Sequence, residues 1–248
     1  MGLFELIRSL FQPGGERETI KGEVELSAFR FEPAEKKHNT AVIICHGVGM
    51  FKRLYTWLAH AFTEAGFQVW TFNFRGHGLK KQGKLTITGA LNDVNAVISH
   101  VKSKGYKNVI LVGHSMGGIV SLKAATRRND IKAIVLLGCP ASLESVPNRA
   151  LFVFGLHKLA VPMDLTQIRK EFSDFDPSED IKKLKIPALL VYGNMDQILL
   201  LFGQKPETLR KKAKPGAVDF VLVPIMGHEP FIRKKYREKL IEWVKKHA

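Results

Sequence analysis

The sequence predicts an α/β fold, a mostly parallel β-sheet with helices on both faces. Apolar runs of strand length alternate with amphipathic runs of helical periodicity along most of the 248 residues, and short links join them. Several strand-length runs, such as residues 41–45 and 133–139, are almost continuously apolar. Such strands are expected where both faces of a sheet are covered. The hydrophobic fraction of 45% is enough for a full core, so we expect a single domain.

The strands are predicted from two kinds of pattern. Apolar and polar residues alternate between positions 19 and 31, which indicates antiparallel strands with one covered face. Continuous apolar runs bounded by glycine or charged turns predict buried strands. These runs cover residues 41–45, 69–74, 108–112, 133–139, 188–192 and 218–223.

The helices are predicted from apolar residues that recur every three to four positions. They cover residues 55–65, 88–103, 119–125 and 229–246. Gly66 and Gly105 end the first two helices, and Thr88 is the expected N-cap of the second. The closing helix is expected to turn its apolar residues inward, namely Phe231, Ile232, Tyr236, Leu240, Ile241 and Val244.

Two segments do not fit the alternation of strand and helix. Residues 141–185 contain an apolar run followed by an acidic part, and they are too long for a plain connection, so we expect them to cover something. Residues 3–11 place five apolar side chains on one helical face. This face is expected to pack on the protein itself or on a partner subunit, and contact with a membrane surface is the alternative.

The net charge of +15 raises the question of an anionic partner. Nucleic acid and anionic lipid are both candidates for so basic a chain. The lysines and arginines lie on predicted helix faces, however, without interleaved aromatic residues that could stack on bases. We therefore expect a solvated basic surface and no nucleic-acid partner.

The cysteines and the amino-terminal residues bear on the compartment. Cys45 and Cys139 both end apolar strands, which favours buried thiols over a disulfide or a metal site. Residues 1–15 lack the basic start and apolar core of a secretion signal, and no apolar run has membrane-spanning length. These features predict a soluble cytoplasmic protein, either a monomer or a homodimer.

A strand, a sharp turn and a helix meet at Gly113-His114-Ser115-Met116-Gly117. This G-x-S-x-G pattern needs glycine at both ends because the strand and helix approach closely, and it holds the serine at a strained backbone angle. The turn lifts the hydroxyl of Ser115 out of the sheet above a helix amino terminus, which favours developing negative charge. Ser115 is therefore the candidate nucleophile.

A serine nucleophile needs a base to accept its proton and a carboxylate to orient that base. Asp196 and His228 follow the last two predicted strands, and the order Ser, Asp, His is that of hydrolases with a nucleophile elbow. Other carboxylates are less suitable because they lie within elements or in the inserted segment: Asp93, Asp164, Asp174, Asp176 and Asp219. Three further histidines lie at strand ends, where architectural hydrogen bonding is expected: His46, His77 and His114.

The oxyanion of a tetrahedral intermediate needs backbone N–H donors. Met116 follows the nucleophile and is expected to supply one of them. Val48 lies in the loop after strand 41–45, just beyond His46-Gly47, and is the expected second donor. No cluster of His, Cys and Asp has metal-ligand spacing, so we expect no metal ion.

Together these motifs resemble the α/β-hydrolase superfamily. The GHSMGG and RGHG sequences are similar to the carboxylesterase and monoacylglycerol lipase branch, and the resemblance runs from about Thr40 to the carboxyl terminus. It implies an eight-stranded sheet, a short helical lid over residues 141–185 after the sixth strand, and ester hydrolysis without a cofactor. The chain departs from monoacylglycerol lipases after His46-Gly47, where their Glu-His pair is missing, and at Lys80, where serine is common.

The resulting hypothesis is a serine hydrolase that cleaves short- to medium-chain acyl esters, monoacylglycerols among them, through an acyl-enzyme. The apolar lid residues Phe152, Phe154 and Leu156 are expected to line the acyl pocket, although they could equally attach the lid to the core or form a dimer contact. Peptidase, amidase and C–C bond hydrolase activity with the same triad remain alternatives. A non-catalytic binding protein of the same fold is the alternative outside the enzymes.

Overall fold

The computed structural model describes residues 14–144, 161–228 and 234–248. They form an eight-stranded sheet with the order β1-β2-β4-β3-β5-β6-β7-β8, in which β1, β2 and β4 pair antiparallel and the remaining pairs are parallel. The strands are Glu16–Lys21, Glu25–Phe31, Thr40–Cys45, Val69–Phe72, Asn108–His114, Ile131–Leu137, Ala188–Gly193 and Val218–Val223. The predicted α/β class and its mostly parallel sheet are confirmed.

Helices occupy most of the connections between the strands. A 3₁₀ helix, Lys52–Tyr55, leads into the first α-helix. The α-helices α1 to α8 are Thr56–Glu64, Ile87–Ser103, Met116–Arg127, Leu165–Lys170, Pro177–Lys183, Gln197–Leu201, Thr208–Lys212 and Lys234–Lys246. None of the helices within the described ranges combines the length and the apolar character that a membrane crossing needs.

The sheet has an apolar core on each face. Strand β3 shows why, because all six of its residues are buried and neighbouring side chains contribute to opposite cores. One core includes helices α2 and α3, and the other includes α1 and the α8 residues Leu240 and Val244. Tyr236 and Ile241 pack partly buried against this second core, as the periodicity of the closing helix predicts. Phe231 and Ile232 lie outside the described residues.

Helix α2 has its N-cap two residues earlier than the sequence predicts. Its N-cap is Thr86, whose side-chain oxygen accepts the N–H of Gly89 at 2.9 Å, and not Thr88. The reason is tertiary: Oε2 of Glu171, from the inserted segment, accepts the N–H groups of Ile87 at 2.8 Å and Thr88 at 3.3 Å. Two caps therefore satisfy the first helical amides, which would otherwise be unpaired.

The inserted segment is attached to the sheet domain on both sides of residues 145–160. Its beginning is clamped by Gln204, which accepts the N–H of Ala141 at 2.6 Å and donates to the carbonyl of Ser142 at 2.7 Å. Its later part forms helices α4 and α5 and bridges Leu85 through Met163. Phe152, Phe154 and Leu156 lie outside the described residues, as does the amphipathic stretch 3–11, so their predicted roles remain predictions.

Candidate active site

Ser115 occupies the turn between β5 and α3 with φ 51° and ψ −116°, a conformation that non-glycine residues rarely adopt. Its N–H donates to the carbonyl of Leu137 at 2.9 Å, which ties the turn to the end of β6. The strain that the G-x-S-x-G pattern predicts is therefore present. Ser115 directly follows His114, so it lies at the carboxyl end of β5.

The two flanking glycines allow strand and helix to approach. A Cβ atom on Gly113 would lie 2.4 Å from the carbonyl oxygen of Gly117, and a Cβ on Gly117 would lie 2.2 Å from the carbonyl oxygen of Cys45. Both distances are far below van der Waals contact, and both neighbours are backbone atoms that cannot rotate away. The motif is therefore required by packing as well as by the angle of the serine.

Replacing Gly117 with alanine should destabilise the protein by about 3 kcal/mol or more, because the new methyl group would force β3 and α3 apart. Chemical denaturation followed by circular dichroism measures the change. Gly216→Ala is the matched control, since that glycine has a positive φ but no atom within 4 Å of the added Cβ. The Gly216→Ala variant should lose about 1 kcal/mol of its free energy of unfolding, from backbone conformation alone. Equal losses in the two variants would contradict the packing argument.

Asp196 and His228 come together as the sequence predicts. Nδ1 of His228 lies 3.0 Å from Oδ1 and 2.9 Å from Oδ2 of Asp196. The carboxylate is almost completely buried, and Oδ1 also accepts the N–H groups of Ile198 at 3.1 Å and Leu199 at 2.9 Å, so Asp196 is the N-cap of α6. A carboxylate held in this way keeps the proton on Nδ1 and leaves Nε2 available as a base.

The Asp196–His228 pair lies at the same end of the sheet as Ser115. A Cβ on Gly138, directly after β6, would lie 3.3 Å from both Oδ2 of Asp196 and Nδ1 of His228. The neighbouring Leu137 accepts the N–H of Ser115. Among the described residues no hydrogen bond joins Ser115 to His228. Catalytic hydrogen bonds of this kind often tighten only when substrate binds.

The loop after β3 passes directly beside the elbow. We call residues 46–49 the oxyanion loop, after the role that the sequence predicts for Val48. A Cβ on Gly47 would lie 3.2 Å from Cβ of Ser115, so the loop and the serine are in contact. In the described part of the chain, the N–H groups of Val48 and Met116 have no hydrogen-bond acceptor. Both amides therefore keep their hydrogen-bonding capacity.

The rival carboxylates have other structural roles. Asp93 is buried and forms a bidentate ion pair with Arg75, with a closest distance of 2.7 Å. Asp219 accepts the indole N–H of Trp243 at 2.6 Å. Asp164 and Asp176 are the N-caps of α4 and α5, and Asp174 is exposed. Asp196 is thus the carboxylate that contacts His228.

The histidines at the strand ends make architectural hydrogen bonds, as expected. Nε2 of His46 accepts the N–H of Phe74 at 3.1 Å, and Nε2 of His77 accepts the N–H of Gly49 at 3.2 Å. Burial lowers the pKa of His46 well below its usual range. Burial and the neighbouring His228 lower the pKa of His114 to about 3. His46 and His114 are therefore neutral near pH 7.

Sequence reasoning did not identify several residues that hold loops, a helix start and the inserted segment in place. Tyr55, Glu171 and Gln204 act through contacts with distant parts of the chain, and no local pattern distinguishes them. The role of Arg75 could have been predicted from the sequence, because an arginine in RGHG and an aspartate inside the next helix suggest a buried ion pair. In the described ranges, no group of three or more His, Cys, Asp or Glu side chains is arranged to hold a metal ion.

A family model and a sequence relative match parts of this chain. The model of the family described as serine aminopeptidase, S33, matches residues 36–170, more than half of the chain. A protein of Mycoplasma pneumoniae whose name proposes an esterase or lipase is 31% identical over 158 residues, which are 63% of this chain and 55% of that relative. The chain thus spans about half the length of that relative.

A second relative and a solved structure cover more of the molecule. An uncharacterized 31.7 kDa protein of Escherichia coli is 34% identical over 225 residues, with 81% of this chain and 76% of the relative covered. The structure of a thermostable carboxyl esterase from Bacillus coagulans superposes with a TM-score of 0.76 at 16% identity, over 95% of this chain and 99% of that one.

The solved structure establishes the fold, and the family model establishes the family. The resemblance inferred from GHSMGG, RGHG and the later Asp and His is confirmed. Because the family model covers more than half of the chain and the E. coli relative aligns over most of it, this protein belongs to the serine aminopeptidase S33 family and has the α/β-hydrolase fold.

Proposed function

We propose that the protein is a serine hydrolase that cleaves carboxylic esters through an acyl-enzyme on Ser115. The observation that carries this proposal is the strained Ser115 at the elbow, at the same end of the sheet as a hydrogen-bonded Asp196–His228 pair. Catalysis by this constellation depends on the geometry and roles of the groups and less on the surrounding fold. The esterase or lipase name of the Mycoplasma relative supports ester chemistry.

In the proposed reaction, His228 Nε2 takes the proton of the Ser115 hydroxyl while Oγ bonds to the substrate carbonyl carbon. The carbonyl oxygen becomes an oxyanion and accepts the N–H groups of Val48 and Met116. When the intermediate collapses, the C–O bond to the alcohol breaks and His228 returns its proton to the alcohol. The acyl-enzyme is hydrolysed in the same way: His228 takes a proton from water while the water oxygen bonds to the acyl carbon. The bond between that carbon and Ser115 Oγ then breaks, His228 returns the proton to Oγ, and the carboxylic acid is released.

Two other functions deserve a test alongside the ester hydrolase. The family description favours a peptidase, which would use the same triad on an amide bond. A binding protein of this fold would have no turnover. The test is a panel of p-nitrophenyl esters against aminoacyl p-nitroanilides, together with labelling of Ser115 by a fluorophosphonate. Preferred turnover of the anilides would replace the ester proposal, and absence of both labelling and turnover would refute a serine hydrolase.

The acyl pocket is proposed to lie under residues 141–185, which act as a lid over Ser115. Helices α4 and α5 are attached to the sheet domain, and Gln204 clamps the start of the segment at the end of β6, close to the elbow. The apolar residues Phe152, Phe154 and Leu156 would then supply the pocket wall. Monoesters with acyl chains of moderate length, including monoacylglycerols, are the proposed substrates.

The turnover of p-nitrophenyl esters should rise with acyl length and then fall once the pocket is full. Each buried CH₂ contributes about 0.8 kcal/mol at most, or roughly fourfold in kcat/KM. Replacing Phe152 or Phe154 with alanine should move the optimal chain length, because the pocket wall recedes. If both variants lose only thermal stability and keep the wild-type length profile, these residues are structural and the pocket lies elsewhere.

A further inference from the structure

We propose that Tyr55 and His114 form a positioning bridge between the oxyanion loop and the base His228. The inference rests on the proposed function, because it assigns roles in the same reaction to two residues outside the triad. Tyr55 ends the 3₁₀ helix after the oxyanion loop, and His114 is the last residue of β5, directly before Ser115. In this role both residues position other groups, and neither touches the substrate.

Three hydrogen bonds form the bridge. The N–H of Gly47, in the oxyanion loop, donates to the Tyr55 oxygen at 3.4 Å. The Tyr55 hydroxyl lies 2.8 Å from Nδ1 of His114. On the other side of the ring, Nε2 of His114 lies 2.8 Å from the backbone carbonyl oxygen of His228.

The chemistry of the partners decides the direction of each bond. A carbonyl oxygen only accepts, so Nε2 of His114 must carry the proton that reaches His228. In a neutral imidazole Nδ1 then has no proton and accepts the Tyr55 hydroxyl. The tyrosine oxygen keeps a lone pair for the Gly47 amide. The hydroxyl also lies 3.1 Å from Sδ of Met50, but sulfur is a much weaker acceptor than an imidazole nitrogen.

Burial keeps the bridge in this single arrangement. Tyr55 is 0% and His114 is 1% exposed, so no solvent competes for their hydrogen bonds. The lowered pKa of His114 agrees with a ring that stays neutral. A buried donor without an acceptor is costly, which favours the fully paired arrangement over any alternative.

The bridge matters because the catalytic parts belong to three separate loops. The oxyanion loop follows β3, Ser115 follows β5, and His228 follows β8. Catalytic groups must be held to within about 0.5 Å of the productive geometry. His114 is joined to the oxyanion loop through Tyr55 and to His228 directly, so it positions both the oxyanion loop and the base relative to the turn that carries Ser115. His77, which accepts the N–H of Gly49, holds the other end of the oxyanion loop independently.

Two variants break the bridge at different bonds. Tyr55→Phe removes the hydroxyl and frees the oxyanion loop. His114→Asn leaves an acceptor near the Nδ1 position but removes the donor to the carbonyl of His228. Each should lower kcat by roughly ten- to a hundredfold, with KM changed by less than about threefold, since the transition state and not the ground state depends on this alignment. Tyr106→Phe is the matched control, a buried tyrosine whose hydroxyl donates to Gln68.

The double variant Tyr55→Phe/His114→Asn tests whether the two residues act as one unit. We expect a loss no more than about twofold larger than that of the worse single variant, because groups that act together are not additive. Losses that multiply would show independent roles and would overturn the bridge. So would a control variant that loses as much kcat as Tyr55→Phe.

Nitrogen NMR of the imidazoles supplies a readout that does not depend on turnover. At neutral pH the ring of His114 should show a protonated Nε2 and an unprotonated Nδ1, and Tyr55→Phe should shift the Nδ1 resonance. A protonated Nδ1 would overturn the proposal. The two proposals fail differently: wild-type protein without ester turnover refutes the proposed function, whereas active wild-type protein with unimpaired bridge variants refutes the bridge alone.

Discussion

Replacing Ser115 with alanine should abolish ester turnover, with kcat falling on the order of a millionfold. The acyl-enzyme cannot form without Oγ, and the base then has no proton to accept. The remaining rate of hydrolysis should be roughly a thousandfold above that of the uncatalysed reaction, because the oxyanion donors still stabilise attack by water. Steady-state kinetics with a p-nitrophenyl ester measures the loss, and a fluorophosphonate should no longer label the protein.

Ser121→Ala is the matched control for this variant. Ser121 lies in α3, the helix that follows the elbow, and is fully buried, and its replacement also deletes a serine hydroxyl. It should retain turnover within a fewfold of the wild type. The alanine at position 115 also keeps a side chain at the strained φ of 51°, so the fold should be preserved. Substantial turnover in Ser115→Ala would mean that another group is the nucleophile.

Asp196→Asn should lower kcat on the order of ten-thousandfold, through the wrong imidazole tautomer. The amide of asparagine can donate to Nδ1 of His228, which moves the ring proton to Nε2 and blocks its role as base. The fold should survive, because an asparagine oxygen can still accept the N–H groups of Ile198 and Leu199 and so maintain the N-cap of α6. Thermal unfolding checks this separately from turnover.

The rival carboxylates provide the controls for Asp196. Asp164→Asn and Asp174→Asn should stay close to wild-type turnover, since the first residue caps α4 and the second is exposed. An inactive Asp164 or Asp174 variant beside a near-normal Asp196→Asn would show that the acid assignment is wrong. A loss of activity in Asp196→Asn that follows only from unfolding would also contradict the tautomer argument.

Much of the fold follows from local patterns. The runs at residues 41–45 and 108–112 are apolar throughout because both sheet faces are covered, and that pattern predicts buried parallel strands. The sequence predicts that Gly66 ends a helix, and this glycine follows α1 with φ +91°. The start of α2 could not be predicted in the same way. The side chain of Glu171, more than eighty positions away, accepts the N–H groups of Ile87 and Thr88, and the side chain of Thr86 accepts that of Gly89.

The residues of the candidate site can likewise be sorted by whether a local pattern predicts them. Ser115 could be found because the elbow is a local feature, in which two glycines must flank the serine within five residues. Asp196 and His228 could be found because each follows a strand, and the carboxyl ends of parallel strands meet at one edge of the sheet. Chain order then left few other candidates.

The sequence by itself therefore determined the sheet, the elbow and the identity of the candidate triad, since each depends on periodicity or on residues close together in the chain. Only the tertiary structure decided how these parts are held. Tyr55 and His114 are separated by 59 positions, and His114 and His228 by 114. Their hydrogen bonds depend on distances and directions of a few ångströms between separate loops, and such contacts exist only after the chain has folded.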